Sequence, residues 1–384
     1  MDRYKNEWSR RNFIGTVAGM GAAIIFKPLS SWATREVDPR SAAIAARTIA
    51  VDSHNHIDVP LNKAELPGPE VDLVGDMKKS GLSAICMTFA VDYQKLTYAG
   101  EAYDRFINGL NAIDEILVNN KVKRSMNLSD LRSAYTNQEP TVIQSVEGGH
   151  FLEGKLDRLR EAYGRGLRQL GLLHDNDASV PLGDIYTKPA QWGGLTSFGA
   201  DVIRECNKLG ILVDLTHASN ETINTALKVS TQPVIISHTG LDTQLGKDEN
   251  MAKMMRPRLI SKEQAKIVAD AGGVIGVWRH LSQTPSEYAE NINAMADVVG
   301  IDHVCIGTDT KLTPPYRPGS KNTNDGQNQR RVGERTNEAW LDQKEGFYYT
   351  VIEAMLKTGF TEDNIGKVGG GNFCRIFDSA TAGH

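Results

Sequence analysis

Five of the chain's nine histidines stand at or just past the ends of short apolar runs, and two carboxylates stand in the same kind of place. The stretch VDSHNHIDVP, Val51 to Pro60, puts His54, His56 and Asp58 at every second position. Alternate side chains of a β-strand share a face, so a strand over Thr48–His56 would aim such residues at one point near its end. Glu147 follows TVIQSV (141–146), His174 follows RQLGLL (168–173) and His217 follows ILVDLT (211–216). His238 closes PVIISH (233–238) and Asp309 follows HVCIGT (303–308). Imidazole nitrogen and carboxylate oxygen are the ligands that Zn²⁺ and related divalent ions accept. Six or seven of them exceed the needs of one ion, whereas two ions sharing a carboxylate and a water would use them all. Such a pair makes hydroxide near neutral pH and polarises a carbonyl, which is chemistry for hydrolysing an amide, ester or related bond. His303 precedes its run and His384 is terminal, so both read as non-catalytic. His280, two residues past GVIGVW (273–278), stays open.

The elements that must position these residues are legible as an alternation. TIAVD (48–52), SAICMTFA (83–90) and the six runs that follow are apolar almost throughout, as strands buried on both faces of a parallel sheet are. Segments between them, such as GKLDRLREAYG (154–164) and SKEQAKIVADA (261–271), have helical spacing and good helix formers. Eight strand–helix units predict an α/β fold, a (β/α)8 TIM barrel, in which all strand C-terminal ends lie on one face. A doubly wound open sheet is the alternative, but no GxGxxG follows the first run.

The 384 residues are 40% apolar and 23% charged, with a net charge of −4. This balance gives no support to nucleic-acid binding, and no stretch combines a basic patch with interleaved aromatics. The N-terminus reads as a signal peptide over residues 1–33. SRRNFIG (9–15) precedes an apolar stretch, Thr16–Phe26, too short to span a bilayer, and Ser31 and Ala33 offer a cleavage site. Arg10-Arg11 followed by Phe13 resembles the twin-arginine export signal, which implies the twin-arginine machinery as a partner and a periplasmic location; no stable membrane anchor is expected once the signal is removed. Residues 34–47 read as a linker and 48–384 as the catalytic domain. Of the four cysteines, Cys86 and Cys305 lie in apolar runs and are expected to be buried free thiols; Cys206 and Cys374 are undetermined.

The chain resembles the membrane dipeptidase family of zinc peptidases, within the amidohydrolase superfamily of barrels. The resemblance lies in SVEGGH (145–150), LTSFG (195–199), LVDLTHAS (212–219), VIISHTG (234–240), RLIS (258–261), GGVIGV (272–277) and GGNFCRIF (370–377), in order along the chain. It implies a zinc-dependent dipeptidase with two Zn²⁺ per chain, acting through a metal-bridging hydroxide on dipeptides or small acyl-amino-acid substrates. Position by position, Glu147 would bridge the ions, His217 and His238 would bind one with it, and the first-strand pair the other. Asp309 would bind metal, hold the nucleophilic water and pass its proton to the leaving amine. His174 would stabilise the tetrahedral oxyanion, and Arg258, with Arg256 as competitor, would pair with the substrate carboxylate. Asp214 reads as a structural or supporting group, and a homodimer is an expectation of the resemblance alone.

Two departures stand out. The family's first-strand motif is His-x-Asp, and here two registers fit: His54 with His56, or His56 with Asp58. The first is favoured because the apolar run ends at Val51 and Asp52 keeps the usual offset. After the eighth run the family has Asp-Phe-Asp-Gly, whereas this chain has TDTKL (308–312) and then a long Pro/Gly/Asn-rich loop, 310–345, expected over the barrel mouth. The loop 175–194 overhangs the same mouth, with Trp192 as packing anchor or substrate contact. The departures keep N-acyl amino acid deacylation and lactone hydrolysis open as alternatives, and behind them a non-catalytic peptide-binding barrel.

Overall fold

Each apolar run becomes a strand. In chain order these are β1 (Val51–His56), β2 (Ala84–Ala90), a two-residue β3 (Lys123–Arg124), β4 (Thr141–Glu147), β5 (Leu167–Gly171), β6 (Leu212–Asp214), β7 (Ile235–Thr239), β8 (Val274–Val277), β9 (Val304–Ile306) and β10 (Thr310–Lys311). The computed structural model describes residues 37–66, 68–316 and 332–384. All strand pairs are parallel, in the order β10-β1-β2-β4-β5-β6-β7-β8-β9, with β3 beside β4. β9 and β10 are successive parts of one stretch: β9 pairs with β8, and β10 pairs with β1 through Asn55–Thr310 and His56–Lys311. The sheet therefore meets itself, and the predicted (β/α)8 barrel is the observed fold.

Several of the motifs that carry the resemblance start helices. Thr196 of LTSFG accepts from the Gly199 amide and caps Ser197–Leu209. Ser219 of LVDLTHAS caps Asn220–Val229 by accepting from the Thr222 amide. Ser261 of RLIS caps Lys262–Asp270 by accepting from the Gln264 amide. Each cap satisfies an otherwise orphaned amide and fixes where a strand-end loop becomes helix. The strand side chains divide between two apolar layers. Ile85, Met87, Val142, Val146, Leu170, Val213, Ile236, Ile275 and Ile306 belong to the large outer core with the helices. Val51, Ala84, Cys86, Ile143, Leu212, Ile235, Val274 and Cys305 form a second cluster with Phe373, Ile376 and Phe377 of the helix Asn372–Thr381. That apolar plug occupies the barrel's lower half and leaves the strand C-terminal ends to polar side chains.

Three expectations are corrected or completed. The segment 34–47 holds a helix, Pro39–Ala45, capped by Asp38 and burying Ile44, so the compact unit starts at Asp38 rather than Thr48. The loop after strand eight is not free of regular structure, because β10 and a 3₁₀ turn, Thr336–Glu338, flank it. Its residues 317–331, like residues 1–33 with the expected signal peptide, lie outside the described residues. All four cysteines are free thiols, three of them buried. Among the described residues no helix is long and apolar enough to cross a membrane.

Candidate metal centre

The first strand does not alternate regularly. Val51 and Asp52 face Ala84 and Ile85, but Asn55 and His56 face Met87 and Thr88, so β1 has one more residue than β2 between these pairs. This bulge resets the phase. Val51 belongs to the lower plug, yet His54 and His56 both reach the mouth. β7 has the same irregularity before Thr239 against β8, and there it brings Ser237 and His238 to the interior together. Room for Ser237 comes from Gly307: a Cβ there would lie 1.8 Å from the Ser237 carbonyl oxygen. β4 ends at Glu147, and Gly148 turns the chain away at φ 86, where a side chain would meet the His150 ring.

The result is a cluster built around one carboxylate. Glu147 Oε1 lies 2.8 Å from His217 Nε2 and 3.6 Å from both His54 Nε2 and His238 Nε2. Its Oε2 lies 3.3 Å from His174 Nε2 and 3.7 Å from His56 Nε2. Asp309 Oδ1 is 2.9 Å from His56 Nε2 and 3.9 Å from His54 Nε2, and the two histidine nitrogens are 3.2 Å apart. Three groups have ligand atoms mutually within 4.8 Å: His54, Glu147 and His238; His54, His56 and Asp309; Glu147, His174 and His217. Of the two first-strand registers, the cluster contains His54 and His56. Asp58 is turned away, accepting from Lys311 Nζ at 2.8 Å and the Tyr316 amide at 3.0 Å.

Every imidazole points Nε2 inward and has Nδ1 held from behind. Ser237 Oγ lies 3.2 Å from His54 Nδ1 and 3.1 Å from His238 Nδ1. Tyr93 Oη lies 2.9 Å from His56 Nδ1, and Asp92 Oδ1 lies 2.6 Å from His174 Nδ1. His217 Nδ1 has Tyr186 Oη at 2.6 Å and Asp175 Oδ1 at 3.2 Å. Outer partners of this kind fix ring orientation and raise ligand basicity in metal sites. The buried Glu147 Oε2 has no hydrogen-bond partner, an expensive state for a carboxylate oxygen unless a cation answers it. Two of the residues, His217 (φ 69) and Asp309 (φ 54), adopt the left-handed backbone region that non-glycine residues occupy uncommonly. Donor type, inward aim, outer partners and the orphaned oxygen all fit divalent ions.

Charge is distributed unevenly. Burial pushes Glu147 up, but His174, His54 and His217 hold it well below the usual carboxylate range. Burial likewise pushes Asp309 up, and His238, His280 and His56 outweigh it, keeping it ionised. Burial lowers His54 well below the ordinary histidine value and lowers His238 too, which favours the neutral form that metal binding requires. For His217 burial is outweighed by hydrogen bonds to Asp175 and Glu147, which raise it to about 10. His56 is raised as well, burial being outweighed by its bond to Asp309 and by Glu147.

Of the remaining sequence candidates, Arg258 is half-buried and donates through Nη2 to Asp175 Oδ2 at 2.6 Å and through Nη1 to the Met254 carbonyl at 3.1 Å. Arg256 is exposed. Asp214 is structural, its Oδ1 accepting from the Thr216 and Ser237 amides at 3.0 and 3.1 Å and so tying β6 to β7. Trp192 is 38% exposed, in a loop wrapped by its backbone amides around the buried Asp184. His303 lies at the other end of the sheet, its Nδ1 2.7 Å from the Gly273 carbonyl. Sequence reasoning missed Asp92, Tyr93, Asp175, Tyr186 and Ser237. Asp92 directly follows an apolar run, Tyr93 comes next to it and Asp175 next to His174, so all three stand at strand ends like the histidines.

Comparison with known proteins agrees with this geometry. A model of the membrane dipeptidase family, peptidase family M19, matches residues 39–324. Dipeptidase 3 of Homo sapiens is 26% identical over 258 residues, 63% of this chain and 45% of that protein. Dipeptidase 3 of Mus musculus is 27% identical over 252 residues, 62% of this chain and 44% of that one. The chain thus spans about half the length of the curated relatives it matches. Among solved structures, an amidohydrolase from Pseudomonas aeruginosa superposes with TM-score 0.68 at 21% identity, covering 88% of this chain and 98% of its own. The probable dipeptidase PvdM from the same organism gives 0.70 at 17%, covering 89% and 98%. A Rhodobacter sphaeroides metallo peptidase liganded with a phosphinate mimic of L-Ala-D-Ala gives 0.63 at 17%, covering 87% and 99%. These three likenesses concern the fold, but the family model takes in most of the barrel, and the chain belongs to the membrane dipeptidase family.

Proposed function

We propose that this protein is a zinc-dependent dipeptidase with two metal ions per chain. The observation that supports it most is the Glu147 hub, with five imidazole Nε2 atoms within 3.7 Å and every Nδ1 tied off outside. His54, His56 and Asp309 would hold one ion, His217 and His238 the other, and Glu147 would serve both. Bound there, the ions would supply an acidified water and polarisation of a carbonyl.

The chain's own groups divide the remaining work. Asp309, kept ionised and at the edge of the cluster, would take the proton of the attacking water and return it to the leaving amine. His174, fixed by Asp92, aims Nε2 at the cluster, where a carbonyl oxygen would gain charge in the transition state. Arg258 would anchor the substrate carboxylate; its link through Asp175 to His217 sets it at the border of the metal site. The named relatives and the phosphinate-liganded neighbour support a dipeptide as substrate. A second reading, N-acyl amino acid deacylation or lactone opening, is favoured by His56 in place of the family's carboxylate and by Asp175 already engaging Arg258. Export through the twin-arginine route to the periplasm rests on Arg10, Arg11 and Phe13 alone, and dimerisation on kinship alone.

Elemental analysis and a panel of L,L and L,D dipeptides test the reading together. The expected result is two metals per chain and turnover abolished by chelation and by Asp309→Asn. One metal or none, with no turnover on the panel, overturns it and directs the search to acyl amides and lactones.

A further inference from the structure

His280 has no part in the reading above, yet it touches Asp309 directly. Its Nε2 donates to Asp309 Oδ2 at 2.9 Å, while Asp309 Oδ1 faces His56 Nε2 at 2.9 Å, so the carboxylate is held on both oxygens from opposite sides. Three features hold the imidazole in this place. Its ring lies edge-on to Trp278, with centroids 5.2 Å apart, and Trp278 in turn stacks on His238 at 6.4 Å. The Arg279 amide donates to the Thr308 carbonyl at 3.1 Å, and the Arg279 guanidinium donates to the Ala339 carbonyl at 3.2 Å. Leu281 then turns the chain away in the left-handed region at φ 65. A four-residue strap thus delivers one N–H to one oxygen.

We propose that His280 is a positioning residue for Asp309, reserving Oδ2 so that only Oδ1 is presented to the metal cluster. A carboxylate turns easily about its last torsion, and an Asp309 free to turn would offer both oxygens to one ion. Chelating an ion through both would turn the carboxylate away from the attacking water, whereas with Oδ2 held by His280 a second lone pair of Oδ1 stays available to accept the water's proton. The hydrogen bond from His280 removes that alternative and keeps the carboxylate in its proton-accepting attitude. The inference rests on Asp309 belonging to the metal site; it does not depend on which substrate is cleaved.

The test compares the full chain with His280→Ala and His280→Gln, each loaded with Co²⁺ as a visible reporter and with Zn²⁺ for kinetics. In His280→Ala the cobalt bands are expected to weaken, since a second carboxylate oxygen raises the coordination number, while metal content stays that of the parent. kcat falls at least about tenfold, the scale of losing an outer-shell partner, and KM stays within a factor of about two. The amide of His280→Gln can donate to the same oxygen, so it recovers most of both signals. Unchanged cobalt bands in His280→Ala, loss of metal from it, or a raised KM with kcat kept would each overturn the proposal. If the parent cleaves no dipeptide, the dipeptidase reading fails, but the cobalt spectra still decide the role of His280.

Discussion

In the metal-free chain the proton on His217 is in competition with metal, and the size of that competition can be worked out. His217 lies between Glu147 Oε1 at 2.8 Å and Asp175 Oδ1 at 3.2 Å, and these bonds overcome burial to raise it to about 10. At pH 7 the proton sits about three units below its release point, which at roughly 1.4 kcal/mol per unit is about 4 kcal/mol that an ion must overcome to use Nε2. Apparent affinity should therefore rise about tenfold per pH unit from pH 7 to 9, with at least one proton released per chain. Acidification of a bound water also releases a proton, so the discriminating variant is Asp175→Asn. It removes the largest interaction raising His217, so affinity at pH 7 should rise at least about tenfold and the slope above pH 8 should flatten. Competition against a chelator at pH 6.5, 7.5 and 8.5, with calorimetry in buffers of different ionisation heat, gives both quantities. The reasoning is refuted if Asp175→Asn changes neither affinity nor slope.

Other expectations follow from the same contacts. Because His217 is raised in the folded state, its stabilisation of the metal-free chain is complete below about pH 6.5 and is lost as pH climbs towards 10. Thermal melts of the stripped protein should accordingly fall over that window, and those of the loaded protein should not. Asp52, pushed up to about 6 by burial, still accepts from the Thr308 amide and hydroxyl, at 2.9 and 2.6 Å, and from Asn55 at 2.8 Å. Asp52→Asn sets an amide among those donors and should cost about 1–3 kcal/mol in urea unfolding. Asp92→Asn should lower kcat by about 10–100-fold with metal content kept, because it frees the His174 ring; an unchanged kcat would remove His174 from the mechanism. Gly307→Ala should destabilise by at least about 1–3 kcal/mol, since its Cβ meets the Ser237 carbonyl.

The strands were legible in the sequence because a parallel barrel buries both faces of each one, and such a series of apolar runs suits few other folds. The inner cluster was legible because strand ends in a barrel share one face, so residues far apart in sequence could be grouped without knowing any contact. What the sequence withheld was phase and support. His54 and His56 looked like members of one regular alternation that also took in Asp58. In fact a bulge brings both histidines to the mouth, and Asp58 goes to Lys311. A bulge depends on how two strands pair, and VDSHNH alone has no trace of it. Ser237 illustrates the second limit. Its hydroxyl serves His54 and His238 at once, a role set by strands 183 residues apart meeting across the barrel.

The electrostatics of the cluster show why such a site can fold before any ion arrives. Glu147 and Asp309 are buried or nearly so and ionised, and carboxylates in that state need positive charge beside them. The two histidines raised above their ordinary value, His217 and His56, lie at 2.8 and 2.9 Å from those carboxylates, one against each. His54 and His238, lying between them, are kept neutral. His56 belongs to the group with His54 and Asp309, and His217 to the group with Glu147 and His174. A raised histidine beside each carboxylate favours a proton where an ion would put its charge, so loading involves an exchange of cations and not only the filling of an anionic hole. On this argument His56 has a second purpose that the family's carboxylate at that position could not serve. An aspartate there would add a third negative charge and no proton carrier, and His56→Asp should give a metal-free chain that is less stable at neutral pH. Thermal melts of the stripped variant decide it: a melting temperature equal to or above that of the stripped parent would mean that His56 is present for the ion alone.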